Sequence, residues 1–116
     1  MRKPLGKHYI LDIWGEKYSF PFMDMNGAAS MLEKSAILAG ATVLTQRWHH
    51  FGESFGFTGV IVLAESHISV HTWPEEGFAA IDIFMCGEAD PVVLVDPVKN
   101  FFSSKECYVK IIDRGE

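Results

Sequence analysis

Cysteine is scarce in this chain: of 116 residues only Cys86 and Cys107 carry a thiol. Their separation matches no metal-binding spacing, and two thiols in a reducing compartment are not expected to pair, which leaves Cys86 available for chemistry. Basic residues are also few, with ten Lys+Arg against 15 Asp+Glu and a formal net charge of −5. The ten are scattered, so the chain has no basic patch for nucleic-acid phosphates. An acidic balance suits a cationic small molecule, although mild acidity also serves solubility alone. No apolar run approaches the roughly 20 residues that span a bilayer. The opening MRKPLGKHYILDIWGE has no signal-peptide core. These absences point to a cytoplasmic protein that engages neither membrane nor nucleic acid.

What is present describes one globular domain over residues 1–116, with 48% hydrophobic and 22% charged residues. Alternation predicts a strand over Lys7 to Trp14, with Tyr9, Leu11 and Ile13 on one side. Asp24 or Asn26 is a candidate cap for a helix whose Met25, Ala28, Ala29, Leu32, Ala36 and Ala39 recur at helical spacing, and Gly40 is placed to end it. Strands are expected at 42–50, 58–65, 68–73 and 78–86, the last two joined by a hairpin turn from Pro74 to Gly77. Residues 90–103 read as a second helix, either kinked at Pro97 or starting at Asp96 with Pro97 first. A last strand covers 106–113. In so short a chain this order predicts an α+β fold, a two-layer sandwich of one antiparallel sheet with both helices on one face.

Strand parity carries a further implication. Ile68, Val70, Ala79, Ile81, Ile83 and Met85 form an apolar side fit to meet the helices. The opposite side collects Ser69, His71, Trp73, Asp82, Phe84 and Cys86. A face with Trp, Phe and so many reactive groups is expected to be covered, and no third layer remains in the chain. A second copy is the expected cover.

The densest chemistry lies in LAESHISVHTWPEEGFAAIDIFMCG, between Leu63 and Gly87. Ser66 follows a carboxylate residue, Glu65, and hydroxyl, imidazole and thiol groups stand nearby. A serine hydroxyl that attacks the preceding carbonyl converts an amide into an ester, and a base that removes the serine Cα proton then eliminates it. The new N-terminus would be dehydroalanine, which hydrolyses to a pyruvoyl group and ammonia. Such a carbonyl forms a Schiff base with a substrate amine and accepts the electrons left when CO2 departs. Residue types alone favour a plainer reading, in which Ser66 is a turn residue.

The run AESHISVHTWPE followed by FAAIDIFMCG resembles the processing and active-site region of prokaryotic S-adenosylmethionine decarboxylase proenzymes. LGKH at 5–8, AGAT at 39–42 and the chain length extend the resemblance over nearly the whole sequence. It implies a self-processing, pyruvoyl-dependent enzyme of polyamine synthesis and a homodimer whose sheets face each other with active sites between them. Cleavage between Glu65 and Ser66 would leave a β chain of residues 1–65 and an α chain of 66–116. By the same resemblance Ser66 is the pyruvoyl precursor, His71 the base of processing and Cys86 the proton donor in catalysis. An imidazole ordinarily titrates near about 6.5 and a thiol near about 8.5, values that suit those two tasks. Thr58 stands where the family carries a serine that assists processing. Phe51 corresponds to an aromatic used against adenine, and Trp73 and Glu75 to the Trp and Glu of the HTWPE segment. Cys107 reads as packing. His49 and His50, adjacent on a strand, point to opposite faces and with His67 make no metal site. Two alternatives stay open at this point: the same chemistry on ornithine or arginine, and an unprocessed, non-catalytic relative.

Overall fold

The computed structural model describes residues 3–116. They form six strands, β1 (Gly6–Trp14), β2 (Val43–His50), β3 (Phe57–Leu63), β4 (Ser66–Trp73), β5 (Phe78–Cys86) and β6 (Glu106–Arg114), with helix α1 (Met25–Leu38) between β1 and β2 and helix α2 (Val95–Phe101) between β5 and β6. The strands make one sheet in the order β2-β3-β4-β5-β1-β6. Every neighbouring pair is antiparallel. This is the expected α+β sandwich, with both helices on the side that carries the buried strand residues.

Local sequence explains the helix limits. The Asp24 carboxylate accepts the Gly27 N–H at 3.0 Å and caps α1. At the other end Gly40, with φ of +92°, closes a left-handed turn. There the N–H of Ala41 bonds to the carbonyl of Ala36 and that of Gly40 to Ile37, a paired closure that satisfies carbonyls the helix would otherwise orphan. The second helix differs from expectation. A 3-10 turn at Pro91–Leu94 leads directly into α2, so Pro97 is neither a kink nor the first residue but the third. It stands in the first turn of α2, the part of a helix that tolerates proline.

The core lies between the layers. Leu11, Ile13, Ile61, Ile68, Ile81, Ile83 and Met85 rise from the sheet to meet Phe22, Leu32, Leu94, Val98 and Phe102, all at most 1% exposed. Thr72 of β4 and Ser35 of α1 are buried polar residues here, and Thr72 is the one that ties elements together. Its hydroxyl donates to the carbonyl of Phe22 at 2.7 Å and accepts the N–H of Phe57 at 3.0 Å, tying the segment before α1 to β3 and β4. The helical layer stops short of β6, where Val109 and Ile111 remain exposed. No helix among the described residues is long and apolar enough to cross a membrane.

The strand parity holds. Ile68, Val70, Ala79, Ile81, Ile83 and Met85 are buried, whereas Ser69, His71, Trp73, Asp82, Phe84 and Cys86 are each half-buried on the opposite, uncovered face.

Candidate active site

The site residues fall into two separate groups toward the two ends of β4, and register decides which residue joins which. Trp73 pairs with Phe78 across the Pro74–Gly77 turn, and the antiparallel ladder runs back to Ser66 opposite Met85. One step further, the turn residue Glu65 meets Cys86. The main-chain oxygen of Glu65 accepts two hydrogen bonds from that residue, one from its N–H at 3.2 Å and one from its thiol at 3.0 Å. Two donors on one carbonyl oxygen polarise it and are placed to hold the negative charge that develops there when a nucleophile attacks.

The bond between Glu65 and Ser66 is also where the backbone departs from ordinary geometry. Leu63 pairs with Ser66, so Ala64 and Glu65 form a two-residue hairpin loop. Such loops normally take positive φ at their central residues, which matches the twist of the strands. Neither Ala64 nor Glu65 does so; the positive φ, +155°, falls on Ser66 instead. A β-carbon disfavours that region, and backbone strain of this kind costs on the order of 1–3 kcal/mol.

The second group lies at the other end of β4. Thr58 pairs with His71, and the Thr58 hydroxyl donates to the carbonyl of Val70 at 3.2 Å. His71 lies 4.2 Å from the Trp73 ring and 5.9 Å from that of Phe51, centroid to centroid. The aromatic row continues through Phe78, 5.3 Å from Trp73, to Trp14, 4.5 Å from Phe78. Phe51, Phe55, Gly56, His71, Thr72, Trp73 and Glu75 line a cleft of about 320 Å³. The expected substrate-binding and processing residues Phe51, Thr58, His71, Trp73 and Glu75 are therefore together.

Within one chain they are not with Ser66. Four strand residues lie between Ser66 and His71, five steps or about 16 Å at roughly 3.3 Å per residue. Glu65, Ser66 and Cys86 make one half of the expected constellation, and His71 with Thr58 the other.

Between the halves lies a chain of polar contacts that sequence reading did not pick out. Asp82 accepts the Ser69 hydroxyl at 3.3 Å and meets His8 Nε2 at 3.2 Å. Parity alone put Ser69 and Asp82 on this face, but His8 arrives only because β1 lies beside β5. His49 and His50 point to opposite faces: His49 packs on Phe51, while His50 bonds to the carbonyl of Met23 from the helical side. Among the described residues no three His, Cys, Asp or Glu side chains cluster as for a metal ion. Cys107 packs against the core from the helix-facing side of β6, and burial, with a smaller contribution from Asp12 and against the pull of Lys99, pushes its thiol pKa up.

Known proteins match nearly the whole chain. The family described as S-adenosylmethionine decarboxylase matches residues 7–115. The S-adenosylmethionine decarboxylase proenzyme of Methanococcus vannielii is 45% identical over 115 residues, covering 97% of this chain and 92% of that protein. S-adenosylmethionine decarboxylase proenzyme 2 of Bacillus cereus is 37% identical over 111 residues, 95% of this chain and 89% of the relative. The crystal structure of the adenosylmethionine decarboxylase from Aquifex aeolicus superposes with a TM-score of 0.83 at 30% identity, over 99% of this chain and 94% of the other.

Proposed function

The chain belongs to the S-adenosylmethionine decarboxylase family, and on that premise we propose that it decarboxylates S-adenosylmethionine with a pyruvoyl group that it makes from its own Ser66. The observation that carries this reading is the twice-bonded Glu65 carbonyl beside a strained serine. Ser66 Oγ attacks the Glu65 carbonyl carbon while the N–H and thiol of Cys86 hold the oxyanion. The C–N bond breaks, nitrogen takes a proton, and an ester links Glu65 to the serine oxygen. Formation of the ester releases the twist that Ser66 bears as an amide. A base then removes the Ser66 Cα proton, and Glu65 leaves as a carboxylate. One water enters and one ammonia departs, giving a β chain of residues 1–65 and an α chain of 66–116.

A pyruvoyl group at residue 66 supplies an electrophilic carbonyl that takes the substrate amine and draws electrons from the bond to CO2. The strained turn, the paired donors and the adjacent thiol of this chain fit its formation and use. Cys86 Sγ holds the proton that replaces the carboxyl group on the substrate α-carbon.

The base comes from a second copy. At about 16 Å, His71 is out of reach of Ser66 in its own chain, so a single chain is incomplete. The open face exposes Trp14 at 40%, Val60 at 37%, Val62 at 38%, Tyr108 at 59% and Ile112 at 37%, an apolar surface of the kind that association covers. Two sheets placed face to face about a two-fold axis that runs across the strands lay the Ser66 end of each β4 over the His71 end of the other. Each site then takes Ser66 and Cys86 from one protomer and His71 and Thr58 from the partner subunit. Phe51, Trp73 and Glu75 come with the latter group: the rings stack on adenine and face the sulfonium charge, and the carboxylate receives ribose hydroxyls.

The test is to incubate purified protein with carboxyl-labelled S-adenosylmethionine, ornithine or arginine and to measure CO2 release alongside denaturing mass spectrometry. Release from S-adenosylmethionine by a two-fragment protein is expected. An intact, inactive chain, or release from ornithine or arginine alone, would overturn the assignment.

A further inference from the structure

Glu65 is held from two directions. Its main-chain oxygen rests on the two Cys86 donors, and its side-chain Oε1 accepts the backbone N–H of Thr42 at 2.8 Å. Thr42 in turn accepts the N–H of Ala64 at 2.9 Å. The reciprocal pair joins the Ala64–Glu65 turn to the segment that runs from the end of α1 into β2. The loop after Cys86 is tied to that same segment, because the N–H of Asp90 donates to the carbonyl of Ala39 at 3.2 Å. Residues 39–42 therefore fix both the scissile carbonyl and the strand end that supplies its donors.

Nothing in the acyl shift itself requires a carboxylate before the serine: the nucleophile is Ser66 Oγ, and the oxyanion donors belong to Cys86. A two-residue loop left to itself relaxes toward positive φ at its central residues. That relaxation rotates the Ala64–Glu65 backbone, lifts the carbonyl off Cys86 and moves the strain away from Ser66. A carboxylate bonded to Thr42 blocks the rotation. Building on the self-cleavage reading, we propose that Glu65 is a positioning residue whose carboxylate, anchored on the Thr42 N–H, holds the strained turn and its carbonyl in the geometry for acyl transfer.

The experiment follows the uncut chain to its fragments by denaturing mass spectrometry for wild type, Glu65→Ala, Glu65→Asp and Glu65→Gln. Glu65→Ala, and Glu65→Asp with a side chain one methylene shorter, are expected to be cut roughly tenfold more slowly, as misplacement of a reacting group implies. Glu65→Gln keeps an acceptor oxygen at the same reach and is expected within about twofold of wild type. Hydroxylamine, which opens an ester faster than an amide, supplies a second readout. The yield of chain 1–65 as its C-terminal hydroxamate should fall in Glu65→Ala and be restored in Glu65→Gln. Thermal unfolding of the same variants on a Ser66→Ala background, which cannot be cut, should give closely similar midpoints. Cutting of Glu65→Ala at the wild-type rate, a Glu65→Gln as slow as Glu65→Ala, or midpoints that fall in step with the cutting rates would each overturn the positioning role. A wild-type chain that is never cut would instead remove the self-cleavage reading, and this proposal with it.

Discussion

Ser66 and His71 share strand β4, but the four residues between them put the Glu65–Ser66 bond and the candidate base toward opposite ends of that strand. On β5, Met85 pairs with Ser66, and Cys86 one step further sets its thiol 3.0 Å from the Glu65 carbonyl oxygen. Catalysis within a single chain is thereby ruled out for any step that needs His71 at Ser66.

A mixing experiment tests that geometry. Ser66→Ala and His71→Ala chains are each expected to stay uncut alone. In mixed dimers, the intact Ser66 of the His71→Ala chain faces the intact His71 of its partner subunit. Differently tagged chains, co-expressed and weighed by mass spectrometry, should show cutting of the His71→Ala chain only. Absence of cutting in verified mixed dimers would place the base elsewhere.

The strain at Ser66 makes a stability prediction separate from activity. Ser66→Ala and Ser66→Gly both lose the nucleophile, and each should remain one species near 13.0 kDa. Glycine alone accepts a φ of +155° without a β-carbon. Its greater unfolded-state entropy offsets part of the gain, so Ser66→Gly should exceed Ser66→Ala by about 1 kcal/mol in urea unfolding. Equal stabilities would mean that the turn relaxes when the serine is replaced.

Cys86 serves both reactions in this reading, and its two donors separate them. Cys86→Ala keeps the backbone N–H, so cutting should continue at a rate lowered roughly tenfold, since a thiol is the weaker of the two donors. Cys86→Ser should recover most of the cutting rate through its hydroxyl. Neither variant restores a readily transferred proton, so turnover of S-adenosylmethionine by the cut protein should stay low. Undiminished turnover by cut Cys86→Ala would end its assignment as proton donor.

Thr72 provides a test of the scaffold. Thr72→Val conserves shape but leaves the Phe57 N–H and the Phe22 carbonyl without their buried partner. Loss of about 2–4 kcal/mol is expected from equilibrium unfolding. A loss under about 0.5 kcal/mol would show that those two groups find other partners.

Period-two alternation made the fold legible. It sorted β4 and β5 into a buried and an open face before any coordinate was known, because neighbouring Cβ atoms must point to opposite sides of a pleated strand. The Pro74–Gly77 turn also held a readable signal: counting back along both strands from Trp73 and Phe78 brings Cys86 to Glu65. Parity alone grouped Cys86 with His71 as neighbours on one face, and the register puts them at opposite ends of it.

The sequence by itself determined the elements, the faces and the chemical groups at the Glu65–Ser66 bond, since these depend on residue type and on steps along one chain. Tertiary structure alone decided that Thr42 anchors the Glu65 side chain and that His8 reaches Asp82. Those relationships join segments distant in sequence or depend on how strands are paired. Local patterning states which way a side chain points, but only the pairing of strands fixes what it points at.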